Sequence, residues 1–265
     1  MREFFLLIWL FPNNKRLKEE FKLSFKDATF KPSSFIEDLF FRSKKEISNL
    51  IKVLKKNSIN YITVVDDLYP KKILKHNFQP YIFSCKGDFS IYDKLEPVCF
   101  VGSRRLDPEL GEWIFENINK QFSKILFISG GAIGTDQAIH SGALRSRNKT
   151  LFVLPSGLLN AYPKGVLSRY ENSKDAVFVS QFSPFQKMYK SNFYARNYFM
   201  SSLSDKVVIL QAEIKSGTLV TAKYAIEMNK ELIVLSCSPW DKRYSGNKKL
   251  LCDGASHIIN LDLFQ

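Results

Sequence analysis

The sequence is short of acid: 26 Asp and Glu stand against 39 Lys and Arg, a net charge of +13 over 265 residues. That balance disfavours cationic substrates and favours a polyanionic partner, nucleic acid first and an acidic membrane surface second. A merely solvated lysine-rich surface would give the same total, so charge alone leaves the choice open. Cysteine is sparse as well. Cys85, Cys99, Cys237 and Cys252 show no CxxC spacing, which excludes a zinc ribbon and a thioredoxin-type motif and fits a reducing, cytoplasmic setting. His76, His140 and His257 form no local metal cluster, and no metal or other cofactor is expected. Long apolar runs are missing too. Residues 4–11 are eight apolar residues in a row, far below the ~20 of a membrane helix, and no small-residue cleavage site follows them. A buried N-terminal helix is expected there, and no membrane span.

Hydrophobic residues make up 45% of the chain, enough for a sizeable core. Residues 1–57 read as a helical N-terminal region, because apolar positions in "SSFIEDLFFRSKKEISNLIKVLKK" recur every three or four residues. Ser33 or Ser34 can cap that pattern, with Glu37 placed for a capping box behind Ser34. Residues 58–95 hold short strand-like runs between Tyr-Pro, Gln-Pro and Lys-Gly-Asp turns. Positive charge is not confined to one end: residues 1–95 contain 18 basic and 11 acidic side chains, +7 of the total. From Val98 onward short apolar runs ("VCFVGS", "KILFIS", "TLFVLP", "AVFVS", "KVVIL", "ELIVLS") alternate with helical patterns that begin near Asp107 and Gly134. Strands apolar throughout belong to a sheet buried on both faces. Their alternation with helices predicts an α/β fold with a doubly wound, mostly parallel sheet, whose ligands lie at the carboxyl ends of the strands.

Those ends carry Gly, Ser and Arg, residues suited to phosphate. The pattern argues against a nicotinamide dinucleotide. "VGSRR" after the first strand has one glycine where GxGxxG is needed, and "TLFVLPSG" ends in no ribose-binding acid. Lys215-Ser216-Gly217-Thr218 lacks the frame of a Walker A loop. Gly102 instead lets a backbone come close, Ser103 offers an amide and a hydroxyl, and Arg104 offers a planar fork. Ser129, Gly130 and Gly131 add amides at the start of the Gly134 helix, and Ser216 and Gly217 open another helix with Lys215 just outside it. Tight packing alone would explain the glycines but not the adjacent cations.

Residues 176–204 contain no acid, three basic residues (Lys187, Lys190, Arg196) and eight aromatics. Interleaved cations and rings suit a single strand, whose phosphates pair with Lys and Arg while its bases stack. Phe185, Tyr189 and Phe193 recur at helical spacing, so about half of these rings are expected in the core. Phe193, flanked one turn away by Lys190 and Arg196, is the best stacking candidate.

Taken in order, "VGSRR" (101–105), "SGGAIGTDQAIHSGAL" (129–144), "KSNFYARN" (190–197), "KSGTLVTAKYA" (215–225) and "GNKKLLCDGA" (246–255) resemble the DNA-processing protein A (DprA, Smf) family. "DLYPKKI" and "QPYIFSCKGD" are similar to its lead-in, so the resemblance covers roughly residues 58–265. It implies an extended Rossmann-like domain there that binds single-stranded DNA, forms a homodimer and loads the RecA recombinase on incoming single strands in natural transformation. It also implies a DNA pocket built from Gly102, Ser103 and Arg104; from Ser129, Gly130 and Gly131; from Lys190, Phe193, Arg196 and Asn197; and from Lys215, Ser216 and Gly217. Residues 1–57 fall where the family has a small, SAM-like helical module, here without its glycine hairpin. Three departures stand out: Ile133 replaces an arginine, Thr135 an isoleucine, and Tyr198 a second arginine, which removes two cations near the pocket.

The rival class is an enzyme. Nucleotide phosphoribohydrolases of the lysine-decarboxylase-like family share a Rossmann core and a PGGxGTxxE loop, to which "SGGAIGTDQA" is similar. Asp136 and His140 would then be an acid–base pair one helical turn apart. Glycosidic cleavage needs its two groups on opposite sides of the sugar, and Ala138 stands where that family has its second acid. No catalytic residue is therefore expected; Asp136 is read as bracing the loop and His140 as packing against the sheet.

Overall fold

The computed structural model describes residues 1–265 except 27–28, 77–79, 120, 121, 123, 237–240, 262–263 and 265. Cys237 and the Gln79 of the Gln-Pro turn lie outside the described residues. The chain opens with a 3₁₀ turn, Arg2–Phe5, and α1 (Leu6–Leu10), which bury Phe5, Leu6, Leu7 and Trp9. Then come α2 (Lys15–Ser24), a two-residue antiparallel ladder of β1 (Phe25–Lys26) with β2 (Thr29–Phe30), α3 (Ser34–Arg42) and α4 (Lys44–Lys56). Helical periodicity over 1–57 does not predict the ladder. Ser33 rather than Ser34 caps α3, its Oγ accepting from the Ile36 amide at 3.4 Å. Glu37 thus stands one residue past the capping-box position. Ile47, Leu50 and Leu54 form the buried stripe of α4, at the three-and-four spacing that sets one helix face inward.

The remaining strands are β3 (Asn60–Thr63), β4 (Ile82–Lys86), β5 (Glu96–Val101), β6 (Ile125–Ser129), β7 (Thr150–Val153), β8 (Ala176–Ser180), β9 (Lys206–Ile209), β10 (Glu231–Leu235) and β11 (Ser256–Ile258). They form one sheet in the order β11-β10-β9-β5-β6-β7-β8-β4-β3. β5 to β11 run parallel, and β4 and β3 extend the β8 edge antiparallel. Between the strands lie α5 (Pro108–Asn117), α6 (Thr135–Arg145), α7 (Val166–Tyr170), α8 (Lys190–Leu203), α9 (Gly217–Glu227) and α10 (Ser245–Cys252). This is the expected Rossmann-like α/β architecture behind a short helical region. Alternate residues of β5 enter different clusters, Val98 and Phe100 in one, Cys99 and Val101 in the other, the period of two that a strand buried on both faces imposes. The N-terminal helices join the second of these, alongside Phe83 and Phe199. The chain leaves β5 towards β6, β7 and β8, then crosses back to place β9 on the other side of β5. The strand order reverses there, and the crevice outside the carboxyl ends of β5 and β9 is where such sheets take ligands.

Candidate nucleic-acid interface

That crevice is an open groove of about 960 Å³. Gly102, Ser103 and Arg104 enter it from the end of β5, Lys190, Phe193, Arg196 and Asn197 from the first turns of α8, and Lys215, Ser216 and Gly217 from the start of α9. The loop after β5 is held from beneath. Ser103's carbonyl accepts from the Thr135 amide at 3.1 Å and from Thr135 Oγ1 at 3.0 Å, and Gly102's carbonyl accepts from Thr218 Oγ1 at 3.0 Å. Gly134 makes this approach possible: its φ is +93°, and a Cβ there would stand 2.5 Å from the Ser103 carbonyl oxygen. With both carbonyls engaged below, the amides of Ser103 and Arg104 find no acceptor among the described residues.

Arg104 is exposed, and its guanidinium lies 4.6 Å from the centroid of the Phe193 ring. Phe193 is half-buried and meets Tyr162 edge-on at 6.0 Å. Of the eight rings in 176–204, Phe178 and Phe199 are buried. α8 begins only at Lys190, so Phe185 and Tyr189 precede the helix instead of sharing its face, and Phe185 is 52% exposed.

Ser129, Gly130 and Gly131 do not line the groove. Ser129 is buried and donates from Oγ to the Phe100 carbonyl at 2.7 Å. The space over Gly130 is filled by the guanidinium of Arg196: a Cβ on Gly130 would lie 1.0 Å from Arg196 Nη1. Arg196 is 4% exposed, and that nitrogen stands 3.5 Å from Asp136 Oδ2. Asp136 also accepts from the Ala132 amide at 3.3 Å, which is the bracing role expected of it. Burial raises the Asp136 pKa against the opposing pull of Arg196, and burial lowers that of Arg196.

His140 takes no part in the groove. Its ring stacks on Phe152 with centroids 3.4 Å apart, and Nδ1 is hydrogen-bonded with Thr150 Oγ1 at 2.7 Å, which also lies 2.9 Å from the Phe127 carbonyl. Complete burial lowers its pKa to about 3, so the imidazole is neutral and packed, as expected. The three departures are also placed. Ile133 is 64% exposed and outside the groove, Thr135 holds Ser103, and Tyr198 packs edge-on against Tyr224 at 5.2 Å.

Arg105, Tyr162, Met188, Tyr189 and Tyr194 also line the groove. Arg105 was readable beside Arg104; Tyr162 and Met188 come from loops with no local signal of where they fold back. Arg104, Arg105, Lys190 and Lys215 give the rim four exposed cations, against the exposed Glu213. Among the described residues no cluster of His, Cys, Asp or Glu is suited to a metal ion, and no helix is long and apolar enough to cross a membrane. The arrangement can bind a strand of phosphates with bases laid on rings.

The family profile described as DNA recombination-mediator protein A matches residues 60–264. The chain is 26% identical to the DNA processing protein DprA of Bacillus subtilis over 224 residues, covering 83% of this chain and 75% of the relative. It is 29% identical to that of Streptococcus pneumoniae over 200 residues, covering 75% and 70%. Among solved structures, DNA processing protein A from Helicobacter pylori, described for its single-stranded DNA binding mode, superposes with a TM-score of 0.66 at 27% identity, over 78% of this chain and 93% of that one. The Streptococcus pneumoniae DprA structure superposes with a TM-score of 0.75 at 24% identity, over 85% and 78%.

Proposed function

The chain belongs to the DNA recombination-mediator protein A family, and from that premise we propose that its groove binds single-stranded DNA, without marked sequence preference, in support of RecA loading. The observation that carries this reading is the rim itself. Exposed Arg104, Arg105, Lys190 and Lys215 have no ion-pair partner among the described residues, and Arg104 stands over the ring of Phe193. Cations of that kind meet phosphates, and aromatic rings accept any base. In this reading the protein acts as a cytoplasmic homodimer, with RecA recombinase as its partner and no turnover of its own. The packing of His140 in the core supports the non-enzymatic assignment, since His140 is the acid–base partner that the enzyme reading gives Asp136.

The test is binding of labelled oligo-dT and a matched duplex at several salt concentrations. Single strands should bind more tightly, with affinity falling steeply as counterions are released, by about 0.7 log units per phosphate contact for each log unit of salt. Arg104→Ala should weaken binding to all sequences alike, lower that slope by roughly one contact and leave the melting temperature unchanged. Equal affinity for duplex, or a folded Arg104→Ala protein with full affinity, would overturn the proposal. Release of free base from nucleoside monophosphates, abolished by Asp136→Asn, would put the enzyme reading in its place.

A further inference from the structure

The groove leaves much of the positive charge unused. Five lysines of α4, Lys44, Lys45, Lys52, Lys55 and Lys56, are exposed. At about 100° per residue they fall within one arc of roughly 120°, which also holds Ser48 and no acid. With a rise of ~1.5 Å per residue, the row is about 18 Å long.

Three exposed cations on other helices are offset by an acid one turn away: Arg16 by Glu20, Arg42 by Asp38, Lys223 by Glu227. On α4, among the described residues, none of the five lysines has such a partner. Lys52 and Lys56 are like charges one turn apart, which destabilises a helix by itself. Lys55 and Lys56 suit the negative end of the helix dipole, but Lys44 and Lys45 occupy its positive end, where cations are disfavoured. At the head of the row the ring of Phe41 is 61% exposed, with Lys44 Nζ 4.5 Å from its centroid. A solvated face calls for mixed charge; a row of one sign headed by an exposed ring suits a polyanion with stacking bases.

We infer that this face of α4 is a second nucleic-acid site, which holds the phosphate backbone of a single strand running out of the groove. The inference rests on the single-strand reading of the groove but concerns a different surface. α4 leads into β3, the outermost strand, five strand positions from β5. At ~4.8 Å per strand that is about 24 Å, so an oligonucleotide that only fills the groove does not reach α4.

The experiment compares the full-length protein with its Lys45→Gln/Lys52→Gln/Lys56→Gln variant, using oligo-dT of about six and about thirty nucleotides over a range of salt. Binding of the short oligonucleotide should be unchanged. For the long one the log–log salt slope should fall by about two, three lysines at ~0.7 each, with weaker binding. The corresponding triple arginine variant should bind as the wild type does. Single Lys52→Gln, with an expected fall of about 0.7, keeps the test decisive should the triple variant fold poorly. Unchanged affinity and slope for the long oligonucleotide would overturn the inference, and so would equal losses at both lengths. Capture on anionic phospholipid vesicles that the triple variant loses, with long-oligonucleotide binding intact, would also overturn it and assign the face to a membrane. A wild-type protein that fails to bind the short oligonucleotide would instead refute the groove.

Discussion

Two glycine-bearing loops leave the neighbouring strands β5 and β6 at the same edge of the sheet, and they serve different occupants. Gly102 and Ser103 have their carbonyls tied to α9 and α6, and Arg104 beside them lines the groove. Residues 129–131 have two glycines to the first loop's one, yet the guanidinium of Arg196 sits where a Gly130 side chain would begin. In the first loop small residues border the open groove; in the second they leave room for the protein's own cation. A glycine-rich turn after a strand therefore reports that something comes close, and only the third dimension says what.

The comparison breaks most sharply at Gly130. Its replacement by alanine forces the guanidinium away, and the groove is the open space beside it. Asp136 is then left buried without its cation, and severing a buried pair costs about 3–5 kcal/mol. Chemical denaturation should show that loss for Gly130→Ala, and adding Asp136→Asn should restore part of it. Gly217→Ala at the groove, where a Cβ meets nothing within 4 Å, should be tolerated. A Gly130→Ala protein of wild-type stability would mean that Arg196 does not fill that loop.

A second effect lies beneath the closed loop. The pKa of His140 in the folded protein is about 3, below the 6.5 of an unperturbed histidine. Between those values the unfolded chain binds the extra proton. The contribution of neutral His140 is thus full above pH 6.5 and is lost as pH falls towards 3, by about 1.4 kcal/mol per pH unit. Denaturation midpoints across that window should fall more steeply for the wild type than for His140→Asn. Equal slopes would place the imidazole in contact with water.

The smallest effect belongs to the ring of α8 that faces Arg104 of the open loop. Phe193→Ala should lose about 1–3 kcal/mol of single-strand binding through lost stacking. Its melting temperature should stay near that of the wild type, because the ring is only half-buried. A large fall in melting temperature with affinity intact would move Phe193 to the core side of the comparison.

The parallel strands were legible because a strand covered on both faces is apolar along its length, and "VCFV", "ILFI" and "VVIL" are. The β5 and α9 loops were legible because cations beside glycine have no packing purpose. Arg196 shows what was not: an arginine on a helix has the same letter whether it faces solvent or a carboxylate, and its burial depends on Asp136, sixty residues earlier in the chain. The spacing of Phe185, Tyr189 and Phe193 misled for a related reason. Periodicity carries meaning only where a helix exists, and α8 starts after the second of them. The lysine arc of α4 was visible as charge but not as a surface, because its direction depends on which stripe the core takes.

The two walls of the groove are far apart in the chain. Thr218 reaches Gly102 across 116 positions, and β9 pairs with β5 after β6, β7 and β8 have been added on the other side. During synthesis at ~5–20 residues per second, β5 to β8 can align as they emerge from the ribosome. Counted from its own synthesis, the outer edge of β5 waits roughly 6–23 s for α9 to emerge. Through that interval an apolar parallel edge stands open to association with other chains, and a prematurely terminated product carries Arg104 with no opposite wall.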